Sequence, residues 1–290
     1  MQDLAKRKGE EKMGKDLYVR FPQGRAKALT FSYDDDVVFD ERLVKILDRY
    51  GMKCTFNLNS GSFRPEGDPG KRMISQAEAK ALFANGRHEI AVHTLTHPRM
   101  NFLPPVAVVE EFYEDRKNLE RIFGGVVRGM AYPFGTSGAT PDVVSAAKSC
   151  GLVYGRTTVS THSFDLPTDW LRLPATCHHN DVRLMELAEQ FVKAPSNREA
   201  RLFYLWGHAY EFNDYDNWEI IERFTAYMDQ YRNDIWYATN IEVYDYLQAY
   251  NRLQFSVALD TVYNPSALEV WFFFNENVYS VKPGELLKVR

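Results

Sequence analysis

The stretch Ala28-Leu29-Thr30-Phe31-Ser32-Tyr33-Asp34-Asp35-Asp36 decides how this chain is read. An apolar run of strand character ends on three consecutive acids. Carboxylates crowded at the mouth of a buried strand repel one another and lose hydration, so they call for a cation or a set of hydrogen-bond donors. An acidic loop capping the next helix is the bland reading. Two later segments displace it, His93-Thr94-Leu95-Thr96-His97 and Leu205-Trp206-Gly207-His208.

Outward from this stretch, strand-like and helix-like segments alternate. Residues 41–50 read as a helix with Leu43, Val44, Ile46 and Leu47 on one face, Asp40 as N-cap and Gly51 as stop. Residues 54–58 read as a strand, and Ser75-Gln76-Ala77-Glu78 is a capping-box pattern that opens a helix. A strand at 89–93 precedes a long amphipathic helix over 106–123. A short strand at 130–132 runs into Pro133-Phe134-Gly135, and Thr140-Pro141 starts the next helix. Short strands follow at 152–154, 171–173, 203–206 and 235–237, with helices near 181–193, 218–232 and 241–250. Strand then helix, repeated six or seven times, argues for an α/β fold with a parallel sheet, which a barrel is one way to close. After residue 250 the pattern changes to β-like runs at 253–259, 268–274 and 285–289 without helices, a small antiparallel β appendage. Trp271 with Phe272 to Phe274 reads as core, with a sugar-stacking platform as the alternative. Residues 1–16 read as a polar tail, 17–250 as the main domain and 251–290 as the β segment.

The chain's 290 residues, 45% of them hydrophobic, allow one large α/β domain or two smaller ones. A net charge of -4 offers no electrostatic case for nucleic acid or an anionic membrane. Cys54, Cys150 and Cys177 are far apart and make neither a disulfide framework nor a thiolate zinc site. The charged N-terminal stretch has no apolar core of a secretory signal, and no apolar run is long enough to span a bilayer. With Met1 as the natural start, the expectation is a cytoplasmic protein.

His93 and His97 stand at i and i+4 directly after a strand, a spacing that lets two imidazoles bite one metal from a helical turn. α/β proteins place their sites at such strand ends. A carboxylate from another strand end, Asp34 or Asp35, would complete a set of two histidines and one acid with positions left open for water and substrate. Hydrolysis then needs a base for the water that the metal activates and an acid for the leaving group. Two adjacent aspartates can divide the labour, one on the metal and one free. His208, with an ordinary pKa of roughly 6.5, is the candidate acid.

In this order, Asp34-Asp35, the His93-to-His97 motif, Tyr132-Pro133-Phe134-Gly135, Asp169-Trp170 and Leu205-Trp206-Gly207-His208 resemble the polysaccharide deacetylase family over about residues 25–250. The resemblance implies a distorted (β/α) barrel, often seven-stranded, with a divalent metal at the C-terminal strand ends. Zinc is usual, with Co2+, Ni2+, Mn2+ or Fe2+ as substitutes. It implies hydrolysis of an N-acetyl or related amide, less often an ester. By position, Asp34 matches the general base, Asp35, His93 and His97 the metal ligands, and His208 the general acid. The Phe134 N–H matches the oxyanion donor, and Tyr132 of the same motif is placed with it among the residues that meet the substrate. Asp169 matches an acid that orients a catalytic partner, and Leu205 and Trp206 line the pocket for the acetyl methyl.

Two departures stand out. Asp36 occupies a place where the family usually has Gly; it points to solvent, tightens the loop or alters the field at the metal. Ala131 stands where the family has an Arg, leaving Arg128 and Arg156 as substitutes to steady the base. His178-His179 reads as a solvated loop, with a substrate contact as the alternative. The expectation is therefore a metal-dependent deacetylase of carbohydrate metabolism acting on an N-acetylated sugar. A cytosolic amidohydrolase for a small linear or cyclic amide and a catalytically silent carbohydrate-binding protein are the alternatives. Sequence leaves the oligomeric state open.

Overall fold

A computed structural model of the chain describes residues 16–70 and 72–289. The tail expected over 1–16 lies outside them except for Asp16. The first elements are β1 (Leu17–Arg20), β2 (Lys27–Asp34), α1 (Asp40–Arg49), β3 (Thr55–Leu58), α2 (Gln76–Leu82), β4 (Glu89–Val92) and α3 (Pro105–Phe123). Next come β5 (Gly129–Ala131), α4 (Pro141–Ser149), β6 (Tyr154–Ser160), β7 (Leu173–Ala175), β8 (Cys177–His178) and α5 (Leu184–Lys193). After these come β9 (Arg201–His208), α6 (Ala209–Asp214), α7 (Glu219–Asp229), β10 (Ile235–Tyr237) and α8 (Asn240–Asn251). Five short strands complete the chain: β11 (Gln254–Phe255), β12 (Thr261–Tyr263), β13 (Val270–Phe274), β14 (Asn277–Val281) and β15 (Leu286–Lys288).

These elements form two units. One comprises Lys27–Ala194 with Arg201–Asp245; the other holds, of the described residues, 16–26, Pro195–Ala200 and 246–289. In the larger unit every strand pairing is parallel, along the path β7-β6-β5-β4-β3-β2-β9-β8, with β10 joining β2. The two ends of this path are neighbours in the chain. Segment 173–178 bonds β6 through its first half and β9 through its second, and Thr176 lies between, donating its N–H to Tyr204 O at 2.9 Å. No continuous ladder closes the ring, so the barrel is distorted.

Period-two alternation along β2 explains how the site is held. Leu29, Phe31 and Tyr33 lie in the hydrophobic core with helix residues such as Leu43, Leu47 and Phe224. Each such buried side chain contributes about 1.5–3 kcal/mol. The intervening residues enter a polar interior: Thr30 Oγ1 donates to Asn240 Oδ1 at 2.7 Å, and Ser32 Oγ accepts from Asn57 Nδ2 at 2.8 Å. Asp34 is the last residue of that inward row.

Local signals behave as their chemistry dictates. Ser75 and Glu78 form a reciprocal capping box at the start of α2. Thr140 caps α4 with Pro141 at its first position. Asp40, expected as the cap of α1, is instead its first residue, and its Oδ2 accepts Val37 N–H at 3.1 Å. α6 and β1 were not anticipated. No helix among the described residues is long and apolar enough to cross a membrane.

In the smaller unit β1 pairs with β13 and β13 with β14, both antiparallel, while β12 joins β11 and β15. Val270, Phe272 and Phe274 alternate into its core with Val262 and Val281. The N-terminal strand, read from sequence with the main domain, thus belongs with the C-terminal β strands.

Candidate active site

Parallel pairing brings the C-terminal strand ends to one rim, and the β2–β9 register sets Asp34 opposite His208. Five non-glycine residues near this rim adopt left-handed backbone: Asp35 (φ 82°), Asp36 (φ 39°), Thr94 (φ 71°), His97 (φ 56°) and Phe134 (φ 56°). Such conformations cost about 1–3 kcal/mol each and persist where the surroundings enforce them, often at functional sites.

Asp35, His93 and His97 converge. Asp35 Oδ1 lies 3.5 Å from His93 Nε2 and 3.7 Å from His97 Nε2. His93 Nδ1 lies 2.9 Å from Ala131 O. A carbonyl only accepts, so Nδ1 carries the proton and Nε2 its lone pair. Burial, opposed by Asp34 and Asp35, lowers the His93 pKa and keeps the ring neutral. A lone pair thus faces a carboxylate oxygen with no proton between them. Two acceptors in that relation suit a shared cation, and two imidazoles with one carboxylate suit zinc or a similar divalent ion.

Asp34 is handled differently. Its Oδ2 meets Arg156 Nη2 and its Oδ1 accepts Asn57 Nδ2 at 2.8 Å, with both members of the ion pair buried. Burial would raise its pKa, but Arg156 and the nearby His93 and His208 outweigh that and lower it. Arg156 stacks over the Trp206 ring at 4.4 Å. Of the two arginines considered from sequence, Arg156 reaches the acid; Arg128 pairs with Asp245 at 2.6 and 2.9 Å.

His208 Nε2 lies 3.8 Å from both Asp34 Oδ2 and Asp35 Oδ2. Burial opposes its protonation, yet Glu211, Asp34 and Asp35 raise its pKa overall. Phe134 is exposed, with its ring against His97 at 4.9 Å between centroids and under the Arg99 guanidinium at 4.7 Å. No hydrogen bond among the described residues claims its N–H. Trp206 sits edge-on to His208, and its Nε1 has no hydrogen-bond partner among the described residues.

Four expected placements differ. Asp169 lies on the surface, accepting from Leu171 N and Arg172 N as the cap of a 3-10 turn, with no contact to this cluster among the described residues. Leu205 sits one residue from Trp206, so it faces the other way and is packed with Phe203 in the core. Tyr132 is buried, with its hydroxyl donating to Leu171 O at 2.9 Å. His178-His179 is no solvated loop: His178 ends β8, and His179 is fully buried, stacked on Phe212 at 4.0 Å and Tyr33 at 5.7 Å.

Supporting residues surround the site; Asp36 was singled out by the sequence with its role open, while Asp115 and Glu211 escaped the reading. Asp36 is buried and its Oδ1 accepts Asn59 N–H at 3.0 Å, while Asn59 Nδ2 donates to Thr94 O at 2.9 Å. Of the roles open to it, tightening the loop is the one this geometry supports. Burial raises its pKa to about 7. Asp115, on α3, accepts the N–H groups of His93 at 3.1 Å and Ser60 at 2.7 Å. Its signal was visible: it interrupts the apolar stripe Val108, Phe112, Leu119, Ile122 at helical spacing. Glu211 was announced only by its place three residues after His208.

The polysaccharide deacetylase family model matches residues 22–155. Among solved structures, the chain is similar to the Xyl-CE4 domain of a multidomain xylanase from the hindgut metagenome of Trinervitermes trinervoides, at 13% identity and TM-score 0.51 over 77% of this chain and 92% of that one. It is similar to a family 4 acetyl xylan esterase from Clostridium thermocellum, solved with a cobalt ion, at 13% identity and TM-score 0.51 over 75% and 90%. The deacetylase PplD of Streptococcus pyogenes, solved with acetate, aligns at 20% identity and TM-score 0.40 over 44% of this chain and 55% of that one, so the match spans about half of that protein. No curated protein matches the chain. At these identities the likeness is one of fold.

Proposed function

Residues 22–155 belong to the polysaccharide deacetylase family, and from that premise we propose that this protein is a metal-dependent hydrolase removing acetyl from an N-acetylated sugar. The observation that carries the reading is the division of two adjacent carboxylates at the end of β2. Asp34 is bound to Arg156, while Asp35 faces the neutral imidazole of His93 and also His97.

Asp35, His93 and His97 would hold the divalent cation, zinc by its donor set, which when bound supplies Lewis acidity at the acetyl carbonyl and makes water more acidic. Asp34 is the proposed general base. Arg156 keeps it ionised, and Asn57 fixes its other oxygen. The Phe134 N–H is free to meet the oxygen on which negative charge develops. His208 is the proposed acid, giving a proton from Nε2 to the departing nitrogen. Trp206 sets an apolar ring beside His208.

The test is hydrolysis of N-acetylated sugars, their oligomers and small amides by protein loaded with divalent metal. Release of acetate from an N-acetylated sugar, lowered about 10²–10⁴-fold in Asp34→Asn with metal content unchanged, is expected for loss of a general base. Turnover of Asp34→Asn at the wild-type rate overturns the assignment of the base. Hydrolysis confined to small non-sugar amides overturns the sugar substrate.

A further inference from the structure

Three imidazoles converge on one oxygen. Glu211 Oε2 lies 3.0 Å from His178 Nε2, 3.1 Å from His179 Nε2 and 3.3 Å from His208 Nδ1. Glu211 stands on the first turn of α6, three residues after His208, and the same oxygen lies 3.4 Å from the His208 N–H. The cluster has two physical readings, a second cation site or a proton-ordering network. His178, His208 and Glu211 do bring ligand atoms within 4.8 Å of one another.

The tautomer of His178 decides between them. Asn180 N–H donates to His178 Nδ1 at 3.1 Å. That nitrogen is therefore the acceptor, and in the neutral ring the proton sits on Nε2, facing Glu211. Binding a metal at Nε2 would leave the ring with no proton on either nitrogen. As a donor, the same atom anchors an ionised carboxylate. Burial would raise the Glu211 pKa, but the three imidazoles gathered around its carboxylate, His178, His179 and His208, hold it well below the usual carboxylate range. His179 is wedged in place, since a Cβ on Gly207 would lie 2.0 Å from its Nδ1.

We propose that Glu211 is the positioning residue of His208, keeping a proton on Nδ1 so that Nε2, beside Asp34 and Asp35, is the nitrogen that takes up and gives the catalytic proton. The inference rests on the reading of His208 as general acid. Glu211, backed by His178, fills the place the family resemblance gave to Asp169. The logic is that of a carboxylate orienting a catalytic imidazole, where loss of the charge permits the wrong tautomer.

The experiment combines two readouts on the metal-loaded full chain. Long-range 1H–15N correlations of 15N-histidine-labelled protein, at a pH where His208 is neutral, report its tautomer without any substrate. Wild type is expected to show Nδ1–H at His208. Glu211→Gln is expected to show Nε2–H or a mixture, while His178 keeps Nε2–H. In kinetics, Glu211→Gln is expected to lower kcat at least about 100-fold with KM changed by less than about threefold, and Glu211→Asp to recover part of the loss. Should Glu211→Gln not fold, His178→Asn, which frees the carboxylate on its far side, is expected to show the same tautomer mixing and about tenfold lower kcat. An unchanged His208 tautomer in the folded variant overturns the proposal. So does a second bound cation per chain that disappears with Glu211. If wild type releases no acetate yet the tautomer shifts as described, the positioning stands and the deacetylase reading falls.

Discussion

Arg156 reaches Asp34 from the strand beside the one expected to supply its partner. It is the Cα partner of Ala131 across the β5–β6 ladder, and Ala131 occupies the place where the resembling family carries Arg. A one-strand shift thus brings a guanidinium to the same carboxylate from a different point in the sequence.

That relationship predicts a transplant. Arg156→Ala leaves the buried Asp34 carboxylate without its cation, and breaking such a pair costs about 3–5 kcal/mol. Urea denaturation is expected to show that loss, with turnover falling as well. Adding Ala131→Arg to Arg156→Ala is expected to restore part of both. No recovery of either quantity would show that only the β6 position serves.

The proposed metal site, with His93 facing Asp35, carries a prediction of its own. Purified protein is expected to bind about one divalent cation per chain at this centre. His97→Ala should abolish stoichiometric binding. Asp115→Asn, which disturbs the acceptor of the His93 N–H, should weaken affinity about 10–100-fold. Competition with a chromophoric chelator measures both, and an Asp115→Asn affinity equal to wild type would remove Asp115 from the support of the site.

Glu89 makes stability depend on pH. Its carboxylate accepts from Ile241 N at 2.9 Å and from Thr55 Oγ1 and Tyr154 Oη at 2.7 Å, and burial raises its pKa from 4.5 to about 7. Between those values the folded chain keeps a proton that the unfolded chain has lost. Glu89's contribution therefore falls as pH rises through that window and levels off above about 7. Denaturation midpoints of Glu89→Gln against pH should lack this slope, and identical pH profiles for the two proteins would refute the assignment.

Gly207→Ala tests the packing of His179. The added Cβ would lie 2.0 Å from His179 Nδ1, and that ring is held between Tyr33 and Phe212. Overpacking of this kind costs about 1–3 kcal/mol. A lowered Tm is the expected result, and wild-type stability would mean that His179 has room to move.

The elements were largely legible because their signals are local. Ser75 with Glu78, Thr140 with Pro141 and the apolar face of α1 each sit within a few residues of one another. The convergence of Asp35 with His93 and His97 was legible for a similar reason: His93 and His97 are close in sequence, and a strand-end acid was their natural complement. Misplacements arose where a side chain had more than one use open to it and only the folded chain chose between them. Asp169 had the right chemistry and position in the order of motifs, yet it is spent on capping Leu171 and Arg172. Leu205 had the right character and the wrong face, a distinction that period two settles once one neighbour is placed.

By itself the sequence determined the alternation of strands and helices, the acids at the end of β2 and the two histidines after β4. These follow from periodicity and chain adjacency, which residues carry without reference to distant partners. Tertiary structure alone decided which cation meets Asp34, which carboxylate faces His208, and which nitrogen of His93 is left bare. The first and last depend on register between strands, which sets Arg156 beside Ala131 and Ala131 O against His93, while the second rests on Asn180 N–H fixing the proton of His178. Strand pairing sets such neighbours across 38 residues in the case of His93 and Ala131. Local sequence cannot express that choice, because hydrogen-bond partners are fixed by the assembled sheet.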